Sequence, residues 1–175
     1  MIIQKENKIL RKTAEKVANI KSDETKMLIN RMAEAMFNEP DGIGIAAPQI
    51  GESLQIFLVA RDLLSPPSSP PYQGGESSRR EVKRKREYLT FINPVLKKIS
   101  QKKEKDVEGC LSVRGLYGEI SRSEKVTVEY FDETGKKYYR GASGLLARVI
   151  QHEVDHLNGV LFIDRAKNLK TISNS

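Results

Sequence analysis

Between Ser143 and Asn158, apolar residues recur at spacings near three and four, with Leu145, Leu146, Val149, Ile150, Val154 and Leu157 separated by polar positions. That period predicts an amphipathic helix, and Gly159 is its C-terminal stop. A second stretch, Asp23 to Asn38, places Met27, Leu28, Met32, Ala35 and Met36 on one side and is ended by Pro40. Its methionine stripe reads as core packing, a role that flexible thioethers fill well. Runs rich in β-branched and aromatic residues predict strands at Gln55–Val59, Tyr88–Ile92 and Lys125–Phe131. The last should pair with Lys136–Arg140 through a turn at Asp132–Gly135. Strands followed by a final helix argue for an α+β fold, with antiparallel or mixed sheets packed around the C-terminal helix.

Length and composition agree with one domain. The chain has 175 residues, 38% of them hydrophobic, enough to bury a compact core. The expected organisation is a single domain over residues 1–175. No apolar run has the length of a membrane span, and the Met1-Ile2-Ile3-Gln4 start lacks the hydrophobic region of a signal peptide. The single cysteine cannot form an internal disulfide, which suits a reducing compartment. A cytoplasmic location without a membrane partner is expected.

One segment breaks the pattern. Ser65 to Ser78 is rich in Pro, Ser and Gly, and Arg79 to Arg86 holds six basic residues in eight. The composition predicts a flexible loop insertion at 65–86 that cannot build a core of its own. Its basic half could touch RNA phosphates in a salt-sensitive way, although a solvated loop is the plainer reading. No aromatic residue interleaves with that run to stack on bases, so sequence-specific nucleic-acid binding is not expected. The net charge of +7 points to anionic neighbours only in this general sense.

The candidate chemistry is concentrated. Both histidines fall in His152-Glu153-Val154-Asp155-His156. Four residues apart on a helix, they project from nearly the same face and can offer nitrogens to one ion. Glu153 is turned by about 100° around the helix, placed to act as a general base without being a ligand, as in the H-E-x-x-H pattern. A catalytic site of this kind wants three protein ligands and an open position. No glutamate follows Glu153, and Phe162 stands where an extended metzincin signature would have its third histidine. That leaves Asp164 downstream, and points upstream to Cys110, the one thiol in the chain. Taken alone, a single cysteine is more often a small buried hydrophobe than a ligand.

Three segments carry a resemblance. Gly42-Ile43-Gly44-Ile45-Ala46-Ala47-Pro48-Gln49, Glu108-Gly109-Cys110-Leu111-Ser112 and Gln151 to Gly159 stand in the order and rough spacing of the three signature motifs of peptide deformylase, and the likeness extends from about Ile3 to Arg165. That family removes the formyl group from the N-terminal formyl-methionine of new polypeptides. The resemblance implies the same α+β fold, and it implies that Cys110, His152 and His156 are metal ligands and Glu153 the catalytic base. It assigns Gln49 and the backbone N–H of Leu111 to the oxyanion, and the backbone around Ile43, Gly44 and Gly109 to the substrate chain. It further implies one divalent ion per chain. Iron(II) is the ion implied in the cell, with zinc, nickel or cobalt able to replace it. The implied partners are N-formyl-methionyl nascent peptides and the ribosome near its exit tunnel. Two departures stand out: Ile45 replaces a frequent leucine, a volume-conserving change, and Arg114 stands where proline is often seen.

These residue types suit formyl hydrolysis, which needs a nucleophile at neutral pH that an ion can generate from water. Preorganised donors at the oxyanion are worth about 3–4 kcal/mol each in comparable sites. Two other readings remain open in the sequence: a general metallopeptidase using Asp164, and an inactive basic relative that binds RNA or ribosomes.

Overall fold

Ser22 Oγ accepts the Thr25 amide at 3.2 Å and starts helix α1 (Asp23–Phe37), capping one of the amide groups that every helix start leaves unpaired. In this computed structural model, which describes residues 1–64 and 87–171, α1 buries Leu28, Ile29, Met32, Ala33 and Met36. Met27, expected on that side, is instead 59% exposed. Five residues from Met32, it lies about 140° away around the helix.

The strands are β1 (Gly44–Ala46), β2 (Ile56–Ala60), β3 (Tyr88–Ile99), β4 (Lys103–Cys110), β5 (Val113–Ser123), β6 (Lys125–Phe131) and β7 (Lys137–Ser143), followed by helix α2 (Gly144–Leu157) and β8 (Lys167–Thr171). They form a five-stranded sheet, β1-β2-β3-β6-β7, and a three-stranded sheet, β4-β5-β8. Among the described residues every strand pairing is antiparallel. This is an α+β architecture with α2 beside the larger sheet, as the pattern of elements predicts.

Strand β2 explains how the layers form. Ile56 and Leu58 join Leu28, Ile29, Met32 and Met36 of α1 in one apolar cluster, while Phe57 and Val59 join Ala147, Val149 and Ile150 of α2 in another. Successive strand residues point to opposite faces, so a strand covered on both sides is apolar throughout. A third cluster, with Leu10, Val113, Ile120, Leu161 and Phe162, fills the space beside the smaller sheet. Helix α2 packs against β1, β2, β6 and β7 of one sheet and β5 of the other. Its apolar side faces the first sheet, which leaves its polar residues between the two.

Strand β3 runs seven residues beyond the expected Ile92 end because a bulge admits Pro94: the register shifts between Ile92 and Val95, and Asn93 has a φ of 50°. Asn93 holds the irregularity in place by bonding the Val17 amide and carbonyl at 2.8 and 3.0 Å. The predicted hairpin forms between β6 and β7, with Asp132 Oδ1 accepting the Thr134 and Lys136 amides. The expected insertion at 65–86 lies outside the described residues. Among those described, no helix is long and apolar enough to cross a membrane.

Candidate metal centre

Helix α2 begins directly after β7 and buries Ala147, Ile150 and Leu157 on its sheet side. The helical repeat then carries His152 and His156 to the side facing the end of β4, and sets Glu153 between that side and the sheet, next to Gly44 of β1. There the β4–β5 ladder shifts register between Glu108 and Cys110, and Cys110 pairs with Val113 across a tight turn. The irregularity aims the thiol at the helix. One ligand atom from each of Cys110, His152 and His156 lies within 4.8 Å of the others, with His156 Nε2 only 3.2 Å from Cys110 Sγ. Asp164, the downstream alternative, is engaged elsewhere: it pairs with Arg11 and accepts the Leu161 amide at 2.9 Å. Cys110 is thus the third donor that the geometry brings to the two histidines.

These residues fit a transition-metal ion. A thiol with two imidazoles is a donor set of the kind zinc and iron take. Burial, with nearby His152 and Arg122, holds the pKa of His156 well below its ordinary value, so it is a neutral ring able to donate a lone pair. At His152, burial works against the charged form, but hydrogen bonds to Cys110 and Glu108 outweigh it and push the pKa up to about 10. A centre flanked in this way favours positive charge.

Glu108, a residue with no role assigned from the sequence, organises the ring. Its Oε2 lies 3.1 Å from His152 Nδ1, leaving the other ring nitrogen for the centre. The carboxylate also receives Arg122 Nε and Nη2 at 2.7 and 2.8 Å and Arg148 Nη1 at 2.7 Å. Burial alone would raise its pKa, yet the bonds from His152 and Arg122 lower it to about 2. Arg122 extends the network by donating to Asp155 Oδ2 at 2.7 Å, and Arg165 reaches Asp155 Oδ1 at 3.0 Å. Such networks are weak evidence for net stability, but breaking one is costly. Glu108 and Asp155 lie inside the recognised motifs, whereas Arg122 is brought there only by the pairing of β5 with β4.

Glu153 is buried, and its Oε2 has no hydrogen-bond partner among the described residues. Burial is the main cause that raises its pKa to about 7. Gly44 makes room for it: a Cβ at that position would meet Glu153 Oε1 at 2.5 Å and Val149 Cγ1 at 3.0 Å. Gly109 is needed for the same reason, because a Cβ there would meet the Tyr117 ring at 2.7 Å.

Gln49 lies in the 3-10 turn Ala47–Ile50. Its Oε1 accepts the Ala46 amide at 2.8 Å, which fixes Nε2 towards Ser112 Oγ at 3.3 Å and Cys110 Sγ at 3.6 Å. Leu111 follows the thiol in the turn, its carbonyl held by Gln4 Nε2 at 3.2 Å. Ile43, Gly44, Gln49, Gly109, Cys110, Leu111, His152 and Glu153 all border one cleft of about 160 Å³, and His156 lies behind it. The sequence-selected residues, drawn from segments as distant as Ile43 and His156, therefore meet in one place.

The comparisons agree with this geometry. A model of the polypeptide deformylase family matches residues 1–171. The peptide deformylase of Picosynechococcus sp. is 37% identical over 168 residues, covering 96% of this chain and 79% of the relative. That of Pelagibacter ubique is 41% identical over 169 residues, covering 97% and 87%. Among solved structures, a peptide deformylase from Synechococcus elongatus in complex with actinonin matches with a TM-score of 0.78 at 38% identity, over 96% of this chain and 79% of that one. The Thermotoga maritima peptide deformylase gives 0.76 at 34% identity, over 95% and 97%. Because the match takes in all three segments that build the centre, the chain belongs to the polypeptide deformylase family.

Proposed function

We propose that this deformylase removes the formyl group from the N-terminal formyl-methionine of new polypeptides with Cys110, His152 and His156 holding one divalent ion, Glu153 as the base, and Gln49 with the Leu111 N–H at the oxyanion. The observation that carries the assignment is the convergence of three ligand atoms within 4.8 Å beside a buried carboxylate with an oxygen unpartnered among the described residues. A divalent ion on this set supplies a water ionised near neutral pH and a polarised carbonyl. Glu153 takes the proton at Oε2 and delivers it to the departing methionine nitrogen. Its raised pKa, near 7 in the chain alone, suits a group that must both accept and return a proton. Gln49 Nε2, fixed by its bond to the Ala46 amide, donates with the Leu111 N–H to the charge that develops on the formyl oxygen.

The cleft gives the substrate its place. Ile43, Val107, Leu145 and Val149 supply apolar wall, which suits an unbranched thioether side chain. The backbone at Ile43, Gly44 and Gly109 faces the extended chain, and β1, paired among the described residues only with β2, leaves an edge for it. We take iron(II) as the ion in the cell, with zinc, nickel or cobalt as substitutes. The same reading places the enzyme in the cytoplasm, meeting nascent chains near the ribosomal exit tunnel. It also treats residues 1–175 as one catalytic domain with residues 65–86 as a loop inserted into it. Formate release from formyl-Met-Ala-Ser by anaerobically purified, metal-analysed protein is the test. Turnover tracking metal content supports the reading, whereas fully loaded protein that releases no formate contradicts it.

A further inference from the structure

Beyond the cleft, a groove of about 730 Å³ continues from Ile43, Gly109, Cys110 and Leu111. A chain extending from the centre on that side runs past Glu39 and Arg114, which both line the groove. These two side chains come from the segment after α1 and from the start of β5, and Arg114 Nη2 reaches Glu39 Oε1 at 2.6 Å. Arg114 remains 59% exposed, and its other guanidinium nitrogens have no partner among the described residues. The charged side chains lining the groove are Glu39, Asp41 and Arg114. The ion pair offsets Glu39, and Asp41 has no ion pair among the described residues. Among the described residues, Arg114 is therefore the one cation in an otherwise acidic passage, held in place by Glu39 with donors to spare.

We infer that Arg114 is a specificity-determining residue that reads the charge of the side chains following formyl-methionine in the substrate. The inference rests on the deformylase reading above. A planar guanidinium with free N–H groups donates to a carboxylate in a two-point contact, and its field opposes a substrate lysine. Without it, the passage carries two uncompensated carboxylates, which repel an acidic substrate and attract a basic one.

The test uses metal-loaded enzyme and C-terminally amidated formyl-Met-Ala-Asp and formyl-Met-Ala-Lys, each rate being divided by that for neutral formyl-Met-Ala-Gln. Arg114→Gln should lower the Asp-to-Lys ratio of kcat/KM about fivefold, the upper range for an exposed charge pair, and the change should lie in KM. Glu39→Gln should move the ratio the opposite way, and Arg114→Lys should leave it within about twofold of wild type. At about 1 M salt, where screening acts over about 3 Å, the differences should collapse. Substitutions at Arg114 and Glu39 that shift the ratio in the same direction would show a structural clasp and overturn the inference, as would no shift in either variant. Failure of the wild type on the neutral peptide is a separate result, directed at the deformylase reading itself.

Discussion

Glu108→Gln removes one charge from the middle of the network behind the metal centre while keeping the side chain's size. The carboxylate accepts three guanidinium contacts at 2.7–2.8 Å and faces His152 Nδ1 at 3.1 Å. An amide can satisfy only part of this set, since its NH₂ presents protons to donors. The drop in the Glu108 pKa from 4.5 to about 2 corresponds to about 3 kcal/mol of folding stability. That agrees with the 3–5 kcal/mol or so lost when one partner of a buried pair is removed. Because the folded pKa is depressed, this stability is fully present above pH 4.5 and is lost as pH falls towards 2. Urea unfolding of the metal-free proteins at pH 7 should therefore place Glu108→Gln about 3 kcal/mol below wild type, with the gap narrowing below about pH 4.5. Metal affinity should fall roughly 10–100-fold, the usual effect of freeing a ligand histidine from its outer partner. A stability gap under about 1 kcal/mol at pH 7, the scale of an exposed pair, would refute the view that Glu108 is the network's central acceptor.

Other perturbations separate the parts of the site. Gly44→Ala puts a methyl 2.5 Å from Glu153 Oε1, so formate release should fall by about tenfold or more with metal content unchanged, and a wild-type rate would count against a tightly placed base. Burial raises the Glu153 pKa; the stability tied to its protonated form is present below pH 4.5 and lost as pH climbs through about 7. Metal-free Glu153→Gln should therefore gain on wild type from about pH 4.5 to 7 in the same unfolding assay, and parallel pH curves would contradict this. Replacing residues 65–86 by a short Gly-Ser connection should change small-peptide turnover by less than about tenfold. The ends are already joined: Arg61 bonds Glu87 through the backbone at 2.8 Å and through side chains at 2.6 Å, so a larger loss would show that the segment helps form the active site.

Much of the centre was legible because its chemistry is local. His152, Glu153 and His156 lie within one helical turn, and the period of Leu146, Val149, Ile150 and Leu157 already fixes which side of α2 meets the sheet. Strands β2 and β6 were readable because one is apolar throughout and the other alternates. Strand β4 was not, since Lys103 to Val107 are all exposed and offer no apolar period. The far part of β3 was hidden by Pro94, which ordinarily ends a strand and here lies beside a bulge. Arg122 and Arg148 carried no local signal as partners of Glu108, because their roles arise from strand pairing and helix docking. The proximity of Gly44 to Glu153 was likewise invisible, because it arises from the docking of α2 against β1.

The most direct test of the central claim is a paired measurement of bound metal and formate release on wild type, Cys110→Ala and Glu153→Gln. If the thiol is a ligand and the carboxylate a base, Cys110→Ala loses tight metal binding, whereas Glu153→Gln retains one ion per chain and loses most of its turnover. A Cys110→Ala protein that binds metal as tightly as wild type, or a fully loaded Glu153→Gln protein with near-normal turnover, would contradict the account.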